Sequence, residues 1–185
     1  MLQEIIEDTI ASMDNSLVSL DAAFKKIRTG RATASLLDSI RVDYYDKLTP
    51  LSQVASISIE DAKTLAVVPW EKGVLQLIER AISESDMGLS PTTSGETVRV
   101  ILPDLTEETR RDLIKKAKSE AENAKVSIRN ARRDSNSQLK EFLKEKEISL
   151  DEERQGEEEI QKLTDLYVGK IDASFQIKEK DLLDF

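Results

Sequence analysis

Apolar and polar positions follow two different periods along this chain. In residues 2–28, Ile6, Ile10, Met13, Leu17, Leu20, Phe24 and Ile27 recur at steps of four and three, a narrow heptad-like seam that predicts one helix. Thr29-Gly30 ends it, and Gly30 suits the left-handed position just past a helix. The period then drops to two. "SIRVDYYD" alternates, with Ile40, Val42 and Tyr44 on one side and Arg41, Asp43 and Tyr45 on the other, as a half-buried strand does. "VASISIEDAKTLAVVPW" reads as two strands around a turn near Glu60-Asp61. "EKGVLQLIERAISESD" reads as a short helix with Val74, Leu77, Ile78, Ala81 and Ile82 on one face. "MGLSPTTSGETVRVILP" reads as two strands around Ser94-Gly95, with Val98, Val100 and Leu102 alternating.

Beyond Pro103 the helical period returns. Thr106 is placed as an N-cap with acidic residues in the following turn. No breaker interrupts the chain from there to about Glu147. Ile114, Ala117, Ala121, Ala124, Ile128 and Ala131 continue a seam that Phe142 rejoins. Ser149 and Glu152 form a capping box for a third helix, whose seam includes Ile160, Leu163, Tyr167, Ile171, Phe175 and Leu182. Each long helix carries one narrow seam and cannot bury it alone, so the three are expected to pack as a bundle. The expected fold class is therefore α+β: residues 1–30 and 105–185 form an antiparallel three-helix bundle, and residues 31–104 form a small inserted β/α/β domain. Two chain crossings join them as a two-stranded hinge at Gly30, Arg31, Leu102, Pro103 and Asp104.

Composition narrows the chemistry. The 185 residues contain no Cys and no His. A disulfide framework is excluded, and so is a thiolate zinc site, while the commonest general base is missing. Carboxylate pairs such as Glu152 and Glu153 are adjacent in a helix and do not face one another, so they read as a solvated face and not as a hydrolase dyad. No phosphate-binding loop or nucleophile elbow is present. No apolar run approaches the ~20 residues that span a bilayer, and the acidic, amphipathic start "MLQEIIEDTI" is unlike a signal or transit peptide. A soluble, cytoplasmic protein without cofactor or metal is expected. Trp70, after Pro69, is expected to pack.

Charge changes the picture most. The chain carries a formal charge of -9, yet residues 106–136 hold nine basic and six acidic groups, net +3. Lys118, Lys125, Arg129 and Arg132 are related by steps of seven, four and three and form a stripe beside the apolar seam. Asn136 ends the stripe and Arg133 lies at its edge. Arg28 and Arg31 flank the end of the first helix, and Arg110 and Arg111 open the second. A row of arginines on a rigid rod suits a phosphate backbone, which guanidinium grips bidentately. Aromatics do not interleave with these residues, so base stacking is not suggested. The competing reading is a helical scaffold that binds protein. It gives no reason to confine the net-positive segment to one rod.

Eight stretches occur in order along the chain: "KIRTGRATASLLD" (26–38), "YYDKLTPLSQVASISIED" (44–61), "VVPWEKG" (67–73), "AISESDMGLSP" (81–91), "LPDLTEETRRDL" (102–113), "VSIRNARRDSN" (126–136), "KEKEIS" (144–149) and the final "KEKDLLDF". Through them the chain resembles the bacterial ribosome recycling factor family along essentially its whole length. The resemblance implies an L-shaped two-domain molecule of tRNA-like dimensions. It implies a non-enzymatic, monomeric factor that acts with elongation factor G and GTP on the post-termination ribosome, splitting the subunits and freeing messenger RNA and tRNA; GTP is used by the partner. It further implies that Arg129, Arg132 and Arg133 contact large-subunit ribosomal RNA, joined by Arg28, Arg31, Arg110, Lys125 and Lys118. Three positions depart from the family: Asp46 where Gly is common, Asp104 where Pro is frequent, and Thr109 where a charge is usual.

Overall fold

The computed structural model describes residues 1–184 and mixes long helices with a small sheet unit. It divides into two compact units. One is Met1–Ile27 with Arg111–Leu183, and the other contains Arg28–Arg110. Among the described residues, no helix is long and apolar enough to cross a membrane.

The first unit is built from α1 (Leu2–Lys26), most of α4 (Glu107–Lys144) and α5 (Leu150–Leu183). The 38 residues of α4 make a rod of about 57 Å. It starts where the Thr109 N–H donates to Thr106 Oγ1 at 3.1 Å. The capping box that opens α5 is formed: the Ser149 N–H donates to Glu152 at 2.7 Å, and the Glu152 N–H donates to Ser149 Oγ at 3.2 Å. The Ser149 backbone N–H, with the Ser149 hydroxyl adding to it, holds the Glu152 carboxyl below its usual range.

The bundle core has two apolar parts. Met13, Leu20, Phe24, Ile27, Ile128, Tyr167, Ile171 and Leu182 pack with Ala117, Ala121, Ala124 and Ala131 of α4. The four alanines keep this seam thin, so the helix backbones can approach. Ile5, Leu139, Ile148 and Ile160 form the second part. Ile5 and Ile160 lie near the starts of their helices and Leu139 near the end of its own, so α4 runs opposite to α1 and α5. Between the two parts, each helix contributes one buried hydroxyl: Thr9, Ser135 and Thr164. Each lies within hydrogen-bond distance of the carbonyl four residues earlier, at 2.6, 2.9 and 2.8 Å, and Thr9 and Ser135 lie 2.5 Å apart; with one proton each, one of these two hydroxyls donates to the other and the second to its own carbonyl. Tyr167 donates to Asp14 at 2.5 Å across the α1–α5 seam.

Gly30 does not supply the expected left-handed cap. The chain leaves α1 through Ile27 in an extended conformation, and the glycines with positive φ are Gly88 and Gly95. One carbonyl at the end of α1, that of the cap residue Ile27, is met from another helix: Lys178 of α5 donates to it at 3.0 Å. Burial pushes the Lys178 ammonium below its ordinary range, against the opposing charge of Asp181.

The second unit begins with a hairpin of β1 (Arg41–Tyr44) and β2 (Lys47–Pro50). Its two-residue loop is Tyr45-Asp46, at φ +50 and +60. A short helix α2 (Leu51–Val54) leads to the main sheet of β3 (Ala55–Ile59), β4 (Thr64–Pro69), β5 (Ser90–Ser94) and β6 (Thr97–Ile101). The order is β3-β4-β6-β5, antiparallel throughout. Helix α3 (Leu75–Ser83) covers one face. Leu65, Val67, Val98 and Val100 point to it from the sheet, and Ile78 and Ile82 meet them, all fully buried. The alternation in sequence thus maps onto the two faces of the sheet. Trp70 departs from expectation: it is 66% exposed, just beyond the end of β4.

Candidate nucleic-acid interface

Helix α4 carries the basic stripe, and its geometry splits the stripe in two. A helix turns about 100° per residue, which places Lys125 and Arg132 nearest the apolar seam and Lys118, Arg129 and Arg133 farther out. The structure follows this order. Lys125 and Arg132 are half-buried, while Lys118, Arg129 and Arg133 are exposed.

The inner pair is engaged with its own protein. Lys125 Nζ lies 2.6 Å from Asp172 of α5 and 3.6 Å from Glu122, with its side chain only 17% exposed. The hydrogen bond to Asp172 holds the Lys125 ammonium above its ordinary range; partial burial opposes this and Glu122 adds to it. Arg132 Nη1 donates to Gln161 Oε1 of α5 at 3.2 Å, and Gln161 in turn donates to Asp165 at 2.9 Å. The carboxamide orients the Arg132 guanidinium without neutralising it. Asn136 is half-buried at the end of the row. Among the described residues no donor reaches its Oδ1.

The outer row is different. Among the described residues, no ion pair or side-chain hydrogen bond engages Lys118, Arg129 or Arg133. Three cations line one edge of a rigid rod with their charge directed to solvent. With Arg132 beside them, they can grip a polyanion at successive phosphates.

The remaining expected residues belong to the second unit. Arg28 donates to two backbone carbonyls, of Met87 at 2.9 Å and Pro103 at 3.2 Å. Arg31 is exposed and Arg110 half-buried. At the expected hinge, Leu102 is buried and Pro103 and Asp104 are exposed. Asp104 pairs with Lys63, whose hydrogen bond and charge hold the Asp104 carboxyl below its usual range, with Arg110 assisting. No sequence signal singled out Lys63, Asp172 or Gln161, because each meets its partner across a gap in sequence. Among the described residues, no cluster of three or more acidic side chains could hold a metal ion.

The chain is thus a helical bundle with an α+β unit inserted in sequence between its first and second helices, bearing a cationic edge on α4. Comparison with known proteins places it. The ribosome recycling factor family profile matches residues 20–183. The chain is 52% identical over 184 residues to the ribosome-recycling factor of Marinomonas sp. (strain MWYL1), covering 100% of both chains. It is 54% identical over 183 residues to that of Alcanivorax borkumensis, covering 99% of each. A solution structure of a ribosome recycling factor matches with a TM-score of 0.77 at 33% identity, covering 100% of this chain and 98% of that one. So does a model of the T. thermophilus ribosome recycling factor and E. coli elongation factor G bound to the E. coli post-termination complex, with a TM-score of 0.65, 39% identity and 99% coverage of each chain. The chain belongs to the ribosome recycling factor family, a family of translation factors.

Proposed function

We propose that this protein disassembles the ribosome after termination in the cytoplasm, acting as a monomer with elongation factor G and GTP, and that it holds large-subunit ribosomal RNA along the outer edge of α4. Family membership supports the role, and the partner is that of the similar T. thermophilus factor in its complex. GTP is bound by the partner factor, and this chain supplies no catalytic group or cofactor. The observation that carries the RNA reading is the division of the stripe. Arg129 and Arg133 have no protein partner among the described residues, whereas Lys125 is held by Asp172. The RNA-binding set is therefore Arg129, Arg132 and Arg133 with Lys118. Lys125 lends its charge from behind.

The test is binding to large ribosomal subunits across a salt series. Each phosphate contact contributes roughly 0.7–0.9 to the slope of log affinity against log salt. Arg129→Ala and Arg132→Ala are each expected to weaken binding and flatten the slope by about that amount. Wild-type affinity and slope in both variants would remove the stripe from the interface and leave the family assignment standing.

A further inference from the structure

The two segments that connect the units are tied to each other within the second unit. Arg28, its first residue, donates from Nη1 to the Met87 carbonyl and from Nη2 to the Pro103 carbonyl. Its Nε is buried and has no hydrogen-bond partner among the described residues. The Ala32 N–H donates to the Ala62 carbonyl at 2.8 Å, and the Leu102 N–H donates to the Lys63 carbonyl at 2.9 Å. Both the incoming and the outgoing segment are thus fastened to the β3–β4 turn, and the Lys63 ammonium adds its pair with Asp104.

We infer that Arg28 is a positioning residue, not a phosphate ligand: its guanidinium joins residues 28–32 to residues 102–104 as one strap that moves with the small unit. A guanidinium grips a phosphate through a pair of nitrogens, Nε with one Nη or both Nη together. In Arg28 the first edge is closed by burial of Nε, and the second is turned onto two carbonyls of its own chain. Swinging out to a phosphate would release Met87 and Pro103 together. The strap also restricts where the connection bends. Leu102 and Asp104 are fastened to the sheet, so flexing falls before Arg28 and after Asp104.

Amide hydrogen exchange on the free, full-length protein tests this independently of any ribosomal role. In Arg28→Ala, the amides of Ala32 and Leu102 are expected to exchange ~tenfold faster or more, while those of Ala117–Ala131 keep their rates. Arg28→Lys, with one ammonium for two carbonyls, is expected to fall between. Unchanged exchange at Ala32 and Leu102 overturns the inference. If Arg28→Ala does not fold, Arg28→Lys and Lys63→Ala carry the same test, each loosening one end of the strap. In the salt series with large ribosomal subunits, Arg28→Ala is expected to run parallel to wild type. A slope flattened as by Arg129→Ala makes Arg28 a phosphate ligand and also overturns it. Should the wild-type protein not bind large subunits, the proposed function fails and the exchange result still decides the strap.

Discussion

Asp46 sits at φ +60 beside Tyr45 at φ +50, in a two-residue hairpin loop that needs both residues left-handed. Asp tolerates this region better than most residues, and Gly tolerates it best. Asp46→Gly is expected to stabilise the small unit by about 0.5–1 kcal/mol, read as a higher unfolding midpoint. The turn forms with Asp46 in the place where the family commonly has Gly. The neighbouring tyrosines show a second residue-scale effect. Tyr44 and Tyr45 both donate to Glu71, at 2.7 and 3.4 Å, with their rings edge to face. The hydrogen bond to Glu71 pushes Tyr44 up to about 12. Burial, with Asp14 assisting, pushes Tyr167 up to about 12. A raised pKa means that the folded state keeps its proton when the unfolded chain has lost it. The Tyr167 contribution is therefore present below pH ~10 and lost as pH rises toward about 12. Tyrosinate absorbance is expected to show both residues ionising late. Glu71→Gln should bring Tyr44 down alone, and Tyr167→Phe should remove part of the alkaline loss of stability.

The hydroxyl layer of the bundle acts between helices. Thr9 and Ser135 share one contact and each has a carbonyl of its own helix. Thr9→Val and Ser135→Ala are each expected to destabilise by about 1 kcal/mol. The double variant should fall short of their sum in denaturant unfolding, because both remove the same bond. Full additivity would mean that the 2.5 Å contact contributes nothing. Gly156 marks another close approach: a Cβ there would meet Leu2 Cδ1 at 2.8 Å and Leu139 Cδ1 at 2.9 Å. Gly156→Ala is expected to cost roughly 1–3 kcal/mol, as overpacking does. Much of this scale was legible before the structure. The 4-3 seams, the Ser149–Glu152 box, the Thr106 cap and the alternation through Val98, Val100 and Leu102 are local patterns, and local patterns survive folding. Leu139 was not legible as core, since Phe142 fits the same seam and only packing puts Leu139 wholly inside and leaves Phe142 half-exposed. The helix at 51–54 is a single turn, too short to show a period. Gly30 was misread because a cap can come from another helix.

At the scale of the molecule, the stripe was legible as charge and not as division of labour. Periodicity put Lys125 and Arg129 in one row; only α5, arriving 47 residues after Lys125 with Asp172, separates them. The two are expected to respond oppositely. Arg129→Ala should lower affinity for large subunits and leave the unfolding temperature unchanged. Lys125→Ala should lower the unfolding temperature, through loss of a partly buried pair, with a smaller change in salt slope. If the outer row of α4 holds RNA as proposed, neutralising Glu157, Glu158 and Glu159 on the acidic third helix is expected to raise binding to unrelated RNA. The Lys178 bond to the Ile27 carbonyl has a consequence in time. Residues 28–110, the bulk of the small unit, are contiguous and are all made before α5. At ~5–20 residues per second, the 68 residues from Arg110 to Lys178 take roughly 3–14 s to synthesise. Throughout that interval the first helix made is without the side chain that will close its end, and the amino-terminal seam waits on nearly the last turns of the chain. An emerging polypeptide therefore holds a finished middle between two unfinished ends, and the first helix made is among the last to be closed.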